Sequence, residues 1–314
     1  MDKNSKICVI GHKGMLGHAI ENVLVEKGYT NIIGCDLPEV DLCNQAQSLE
    51  FFLKEKPEYV FFLAAVAAGI NYKKEHPATM MLKNMQIITN VMDAVSKSGC
   101  RKMLNVCSAL VYPTGTQIPF CEDATTHVNL NEVDSPYAVS KAAGMQLAKF
   151  YNKEFGMEYV TAVPCNFFGE YAPYDGDKAG VVSALISRMH QAKEKNLDKV
   201  IVWGTGNACR DLLNSRDVAS ACVFLMEHPS DYDIINIGRG KEYTIREVAE
   251  TIKKVVGYEG LLEFDATKPE GKPHMMMNIN RLETMGWQPS MSLEDSIQNA
   301  YQWYEKNVVQ KSEI

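Results

Sequence analysis

Tyr137 and Lys141 stand four residues apart in Tyr137-Ala-Val-Ser-Lys141, and Ser108 lies 29 residues before Tyr137. On a helix, positions i and i+4 share a face, so this spacing sets a phenol beside an ammonium. A phenol with its ordinary pKa of about 10 exchanges protons poorly at neutral pH until a nearby cation stabilises its anion. Lys141 is that cation, while Ser108 is expected to hydrogen-bond a substrate oxygen whose proton Tyr137 gives or takes. The chemistry implied is hydride transfer at a carbonyl or alcohol carbon. Alone, a Tyr and Lys at this spacing describe any helix surface, so the rest of the chain has to supply the hydride carrier.

That carrier has a site near the N-terminus. The apolar run Ile7 to Ile10 leads into Gly11-His12-Lys13-Gly14-Met15-Leu16-Gly17, and a helix-like segment follows to Lys27. Three glycines in a strand-turn-helix context allow a tight turn, close approach of a pyrophosphate to backbone N–H groups, and close helix packing. Asp36, 19 residues after Gly17, is placed to accept hydrogen bonds from the adenosine ribose and to repel a 2′-phosphate. NAD(H) is therefore favoured, with Lys13 as the residue that keeps NADP(H) open. Asp41 and Leu42 are expected near the adenine. Leu63, Ala64 and Ala65 are expected beneath the cofactor at a strand end, with Tyr137, Lys141 and Pro164 at its nicotinamide end.

The elements that must position these residues are visible as alternating apolar runs and helical segments. Ile7 to Ile10, Asn31 to Cys35, Tyr59 to Ala64, Met103 to Cys107, Tyr159 to Val163 and Ile234 to Ile237 read as strands. Their continuous apolarity suits a parallel sheet covered on both faces. The fold class is α/β, a doubly wound, Rossmann-like parallel sheet. Residues 77–98 and 137–155 read as helices, the second with an apolar stripe of Val139, Ala143, Leu147 and Phe150. The expected division is a dinucleotide-binding domain over 1–165 with a return around 212–238, and a smaller α/β substrate domain over 166–211 and 239–314.

The 314 residues are 46% hydrophobic and 23% charged, as in a globular protein. The net charge of −7 speaks against nucleic acid as the main partner, which would need clustered cations. The longest apolar stretch, residues 59–70, is too short to span a bilayer, and residues 1–6 are polar, so no membrane association and a cytoplasmic location are expected. The nine cysteines form no metal-spaced motif and read as reduced thiols, so no metal is expected.

Taken together, these motifs resemble the extended short-chain dehydrogenase/reductases, and within them the GDP-L-fucose synthase family. The resemblance covers nearly the whole chain. It is carried by residues 11–17, Asn84-Met85, Tyr137 to Lys141, Pro164-Cys-Asn-Phe-Phe-Gly169, Val202-Trp-Gly-Thr-Gly206, Arg210-Asp211, Asp217-Val-Ala219, Asn236-Ile-Gly238, Phe264 to Pro269 and Met285-Gly-Trp287. It implies a GDP-sugar substrate, with Asn166 beside the sugar and Arg188, Trp203 and Arg210 on the nucleotide and its diphosphate. It also implies a homodimer.

Two departures from the family matter. Its epimerase step uses a Cys two residues after the catalytic Ser and a His in the substrate domain, where this chain has Leu110 and Gly180. Unless Cys165, Cys107 or His190 has taken over, epimerisation at C3 and C5 should be lost while the reductase triad stays. Asp36 stands where the family presents basic residues to NADPH. Dehydration is disfavoured, because Ala109-Leu110 offers no acid. The leading expectation is C4 reduction of a GDP-linked 4-keto sugar, or its reverse. The alternatives are a nucleotide-sugar 4-epimerase or 4-oxidase with tightly bound NAD, and a noncatalytic dinucleotide-binding sensor.

Overall fold

The computed structural model describes residues 1–67, 70–126, 130–176, 178–268 and 270–310. In chain order its strands are β1 (Ile7–Ile10), β2 (Ile32–Cys35), β3 (Tyr59–Phe62), β4 (Lys102–Val106), β5 (Tyr159–Pro164), β6 (Asn166–Phe168), β7 (Lys199–Trp203), β8 (Cys209–Asn214), β9 (Ile234–Ile237), β10 (Glu242–Thr244) and β11 (Leu261–Asp265). The helices are α1 (Met15–Glu26), α2 (Gln45–Glu55), α3 (Ile70–Glu75), α4 (Pro77–Lys97), α5 (Ser135–Phe155), α6 (Val181–Glu194), α7 (Ser215–Glu227), α8 (Ile245–Val256), α9 (Asn280–Thr284) and α10 (Leu293–Tyr304).

Six parallel strands form the main sheet in the order β2-β1-β3-β4-β5-β9. Every residue of β1, β4 and β5 is buried, so their sequences are largely apolar without alternation, the exceptions Lys102, Asn105 and Thr161 being buried too. One face is covered by α1 and α7, the other by α2, α4 and α5. Each large side chain removed from water in these layers contributes about 1.5–3 kcal/mol. The strand order reverses direction about β1, so a crevice opens between the carboxyl ends of β1 and β3, where such sheets hold ligands.

β8 pairs with β6 and β10 in a small sheet, and β7 pairs with β11. Between them α6, α8 and α10 bury a second apolar cluster that includes Leu185, Ile186, Val248, Ile252 and Ile297. Met275, Met277, Ile279, Leu282 and Trp287 instead join the core of the main sheet, so the segment after residue 239 serves both clusters.

The apolar stripe expected on α5 is not its buried face. Phe150 is exposed, whereas Ala138, Ser140, Lys141, Gly144, Met145 and Ala148 are buried. Small residues bring α5 close to α4, where a Cβ on Gly144 would stand 3.2 Å from Ile88. Tyr137 and Lys141 are thus carried on the inner side of the helix, facing the strand ends rather than solvent.

Candidate active site

A cleft of about 400 Å³ runs across the carboxyl ends of the main sheet. It is lined from Asp36, past Gly11, Gly14, Met15, Leu16 and Gly17, along Leu63, Ala64 and Ala65, to Ser108, Tyr137, Lys141 and Pro164. Residues expected at the site from six separate stretches of sequence therefore converge on one cavity.

The glycine turn is built for close approach. Gly11 has φ +86°, and a Cβ there would lie 3.1 Å from the Ala64 amide nitrogen. A Cβ on Gly17 would collide with the Gly11 carbonyl oxygen, so α1 can sit against the turn only with glycine at that position. No side chain caps the N-terminus of α1. Its leading N–H groups and the positive end of its dipole face the cleft, a fitting seat for a pyrophosphate. The far side is shaped by buried Asn84, whose Oδ1 accepts from Val66 N at 2.8 Å and whose Nδ2 donates to Val66 O at 3.1 Å.

At the other end, Lys141 Nζ is buried and donates to Val106 O at 2.9 Å. That uses one of three N–H donors, and nicotinamide ribose hydroxyls can take the others. Lys141 Nζ lies 5.9 Å from the centre of the Tyr137 ring, and Lys73 Nζ lies at the same distance. Lys73 is anchored by Asp134 at the head of α5. Burial raises the Tyr137 phenol well above its ordinary value, with the neighbouring Cys107 a smaller contribution in the same direction. Burial also lowers the Lys141 ammonium. Without ligand, the phenol is held protonated, the form that delivers a proton. Ser108 ends the strand region and caps a single helical turn, its Oγ accepting from Leu110 N at 3.3 Å.

Several expected contacts fall elsewhere. Asp41 and Leu42 do not line the cleft: Asp41 is an exposed turn residue accepting from Cys43 N, and Leu42 is buried in the core beside α2 and α4. Lys13 also stands outside the lining, its Nζ bonded to Leu37 O at 2.7 Å and to Glu39 at 2.9 Å. Asn166 lines a smaller neighbouring cleft of about 190 Å³ with Met15, Phe167, Lys178, Gly180 and Ser183. Arg188 bonds the carbonyls of Ala184 and Ile201, and Trp203 is largely exposed. The Arg210 guanidinium donates to the carbonyls of Cys209, Glu270 and Lys272. Pro269, part of the segment carrying the family resemblance, lies outside the described residues.

The cleft also takes in Ala67, Val106, Cys165 and Phe167, none of which follows from motif spacing. Cys107 and Cys165 line it, but burial pushes the Cys107 thiol up to about 11 and also raises that of Cys165. His190 lies between α6 and α10, bonded to the Tyr301 hydroxyl at 3.0 Å, and lines neither cleft.

Residues 7–238 match the NAD dependent epimerase/dehydratase family. The chain belongs to that family. As a member of it with an intact Ser, Tyr and Lys set, the protein is a nicotinamide-dependent oxidoreductase of the extended short-chain type. GDP-L-fucose synthase 1 of Arabidopsis thaliana is 39% identical, over 98% of this chain and 95% of the relative. GDP-L-fucose synthase of Escherichia coli K12 is 33% identical, over 96% and 97%. Among solved structures, a GDP-mannoheptose C4 reductase from Campylobacter jejuni with NADP bound superimposes with a TM-score of 0.88 at 30% identity, over 97% of this chain and 99% of that one. No helix among the described residues of this family member is long and apolar enough to cross a membrane.

Proposed function

We propose that the protein reduces the C4 ketone of a GDP-linked 4-keto sugar without epimerising C3 or C5. The observation that carries this reading is the convergence of Ser108, Tyr137 and Lys141 on one cleft, with Leu110 and Gly180 standing at the two positions where the family resemblance implies proton carriers. Bound in this cleft, a dihydronicotinamide supplies hydride to a carbonyl carbon. Ser108 donates a hydrogen bond to the ketone oxygen and fixes its direction. Tyr137 delivers its phenolic proton to that oxygen as the C=O electron pair moves onto it. Lys141 holds the ribose and stabilises the phenolate left behind, which then recovers a proton from solvent.

Epimerisation requires one group to remove a proton next to the ketone and another to return it on the opposite face. Neither Leu110 nor Gly180 carries a titratable atom, the thiols of Cys107 and Cys165 are held protonated, and His190 stands outside the site. On this reading the stereochemistry at C3 and C5 is set before the sugar arrives. The test is to run the reaction in D2O and locate the label. A product free of deuterium at C3 and C5 agrees with the reading, and label at either carbon overturns it.

Two finer points belong to the same reading. NADPH is the reductant, as the NADP-bound C4 reductase suggests, although Asp36 opposes a 2′-phosphate and Lys13 must leave Glu39 to meet one. Arg188, Trp203 and Arg210 serve the nucleotide, with Arg210 exchanging main-chain carbonyls for phosphate oxygens. The chain pairs as a homodimer through α4 and α5, which leave Leu82 and Phe150 exposed. Sedimentation of Phe150→Glu as a monomer beside a dimeric parent would support that pairing, and a monomeric parent would remove it.

A further inference from the structure

Outside the active-site cleft, one cluster of side chains has the composition of a metal site. Cys209 on β8, Glu242 on β10 and His274 on the segment beside them each offer a ligand atom, and these atoms lie within 4.8 Å of one another. The strand register explains the meeting. Glu242 pairs with Asp211 and Thr244 with Cys209, so Cys209 and Glu242 share a face of the small sheet. His274 is brought alongside because Cys209 N donates to Pro273 O at 2.7 Å.

We propose that Cys209, Glu242 and His274 form a binding site for a borderline divalent cation of the zinc class. Thiolate, imidazole and carboxylate together are the donor set such ions select, and hard ions such as magnesium do not use sulfur. Ligand atoms around a tetrahedral zinc stand about 3.3–3.8 Å apart, as bond lengths of about 2.0–2.3 Å dictate. The separation of at most 4.8 Å in the empty cluster exceeds that spacing by little more than about 1 Å.

The carboxylate is already aimed. Glu242 Oε1 accepts from Met275 N at 2.7 Å, and Oε2 faces His274 Nδ1 at 3.0 Å. Such outer hydrogen bonds are what fix ligand orientation in metal sites. The Cys209 thiol donates to Asn207 O at 3.4 Å, and cation binding would replace that bond with a metal–sulfur bond while the thiol proton leaves to solvent. Three protein ligands leave a fourth position open to water on the exposed side.

The site is tied to the nucleotide region through the chain itself. Arg210 follows Cys209 directly and donates to the carbonyls of Cys209 and Lys272, two residues before His274. A cation bridging Cys209 and His274 therefore fixes the segment that holds the Arg210 guanidinium.

The experiment is titration of the full-length protein with Co2+, followed by the thiolate-to-cobalt charge-transfer absorption, together with alkylation mapping of Cys209 in the presence of Zn2+. The expected result is one equivalent bound, slowed alkylation of Cys209 by Zn2+ that EDTA reverses, and at least about tenfold weaker binding in both Cys209→Ser and His274→Ala. His274 is exposed, so its removal leaves the fold intact. A wild-type protein with no thiolate band, or with one that persists unchanged in Cys209→Ser or in His274→Ala, overturns the proposal.

Discussion

The ammonium of Lys141 donates to the carbonyl of Val106 at 2.9 Å, which pins the last residue of β4 to the second turn of α5. One bond thereby fixes the distance between the strand that presents Ser108 and the helix that presents Tyr137. Lys141→Met should remove both this tie and the charge that stabilises the Tyr137 phenolate, lowering kcat for ketone reduction by about 10²- to 10⁴-fold. Lys141→Arg should not restore it, because a planar guanidinium fork differs in length and donor geometry from the buried ammonium that reaches Val106 O. Steady-state kinetics with circular dichroism as a fold control reads this out. Recovery of full activity in the Arg variant would show that charge alone matters.

The direction of the Tyr137 shift predicts an asymmetric pH response. Burial holds the phenol protonated, so its acid form persists well into the alkaline range. Reduction consumes that form, and its rate should stay level from about pH 6 to 9. The reverse oxidation needs the phenolate, and its rate should climb with pH over the same interval, approaching about tenfold per unit where Tyr137 alone limits. Rate profiles measured in both directions check this. A reduction rate that falls with pH across that interval would mean that the acid is a group of lower pKa.

The proposed cofactor choice can be tested at the opposed charges of Lys13 and Asp36. The Lys13 ammonium holds the exposed Glu39 carboxyl below its usual range, chiefly through their hydrogen bond. Asp36→Asn removes the charge that lines the cleft and should raise the kcat/KM ratio of NADPH over NADH about fivefold. Glu39→Gln, which frees Lys13, should shift the ratio the same way. Kinetics with both cofactors at fixed ionic strength tests both variants. An unchanged ratio in Asp36→Asn would place the 2′-position away from Asp36.

Asn84 is buried and holds Val66 by both its N–H and its carbonyl, with a further bond to Met80 O at 3.0 Å. Asn84→Ala leaves these main-chain groups without partners and should destabilise the fold by about 2–4 kcal/mol in denaturant titration. The released segment adjoins Ala64 and Ala65 of the cleft, so the KM for cofactor should rise as well. Loss of stability with an unchanged KM would confine Asn84 to a packing role.

The fold and the reactive end of the site were legible because each rests on local pattern. Continuous apolar runs gave the parallel strands, and spacing alone joined Gly11, Gly14 and Gly17 in one turn and Tyr137 to Lys141 on one helix. Long-range register was not legible. Asp41 and Leu42 look like cofactor neighbours by position, yet the chain turns after Asp36 and sends Leu42 into the core. The apolar spacing on α5 does not mark its buried face, because Ala138, Gly144 and Ala148 are small enough to be buried without being strongly apolar. Cys165 and Phe167 reach the cleft with the expected Pro164, because β5 ends beside β4 at the carboxyl edge of the sheet.

Restoring proton carriers at the two departed positions should test the proposed loss of epimerase chemistry from the constructive side. Gly180 caps α6 with φ −70°, a conformation open to any residue, and a Cβ there would meet nothing within 4 Å. A histidine therefore fits without strain. Leu110 lies on the helical turn beside Ser108, half-buried, where a cysteine is smaller than the residue it replaces. The double variant Leu110→Cys/Gly180→His should place deuterium at C3 or C5 in D2O, at least about 10²-fold faster than the parent. Each single variant should wash label into the carbon its one proton carrier reaches but leave the configuration unchanged, since inversion needs a base on one face and an acid on the other. If the double variant folds, reduces its ketone and still incorporates no label, then the sugar is held out of reach of these two positions, and substrate orientation rather than missing proton carriers separates this protein from the synthases.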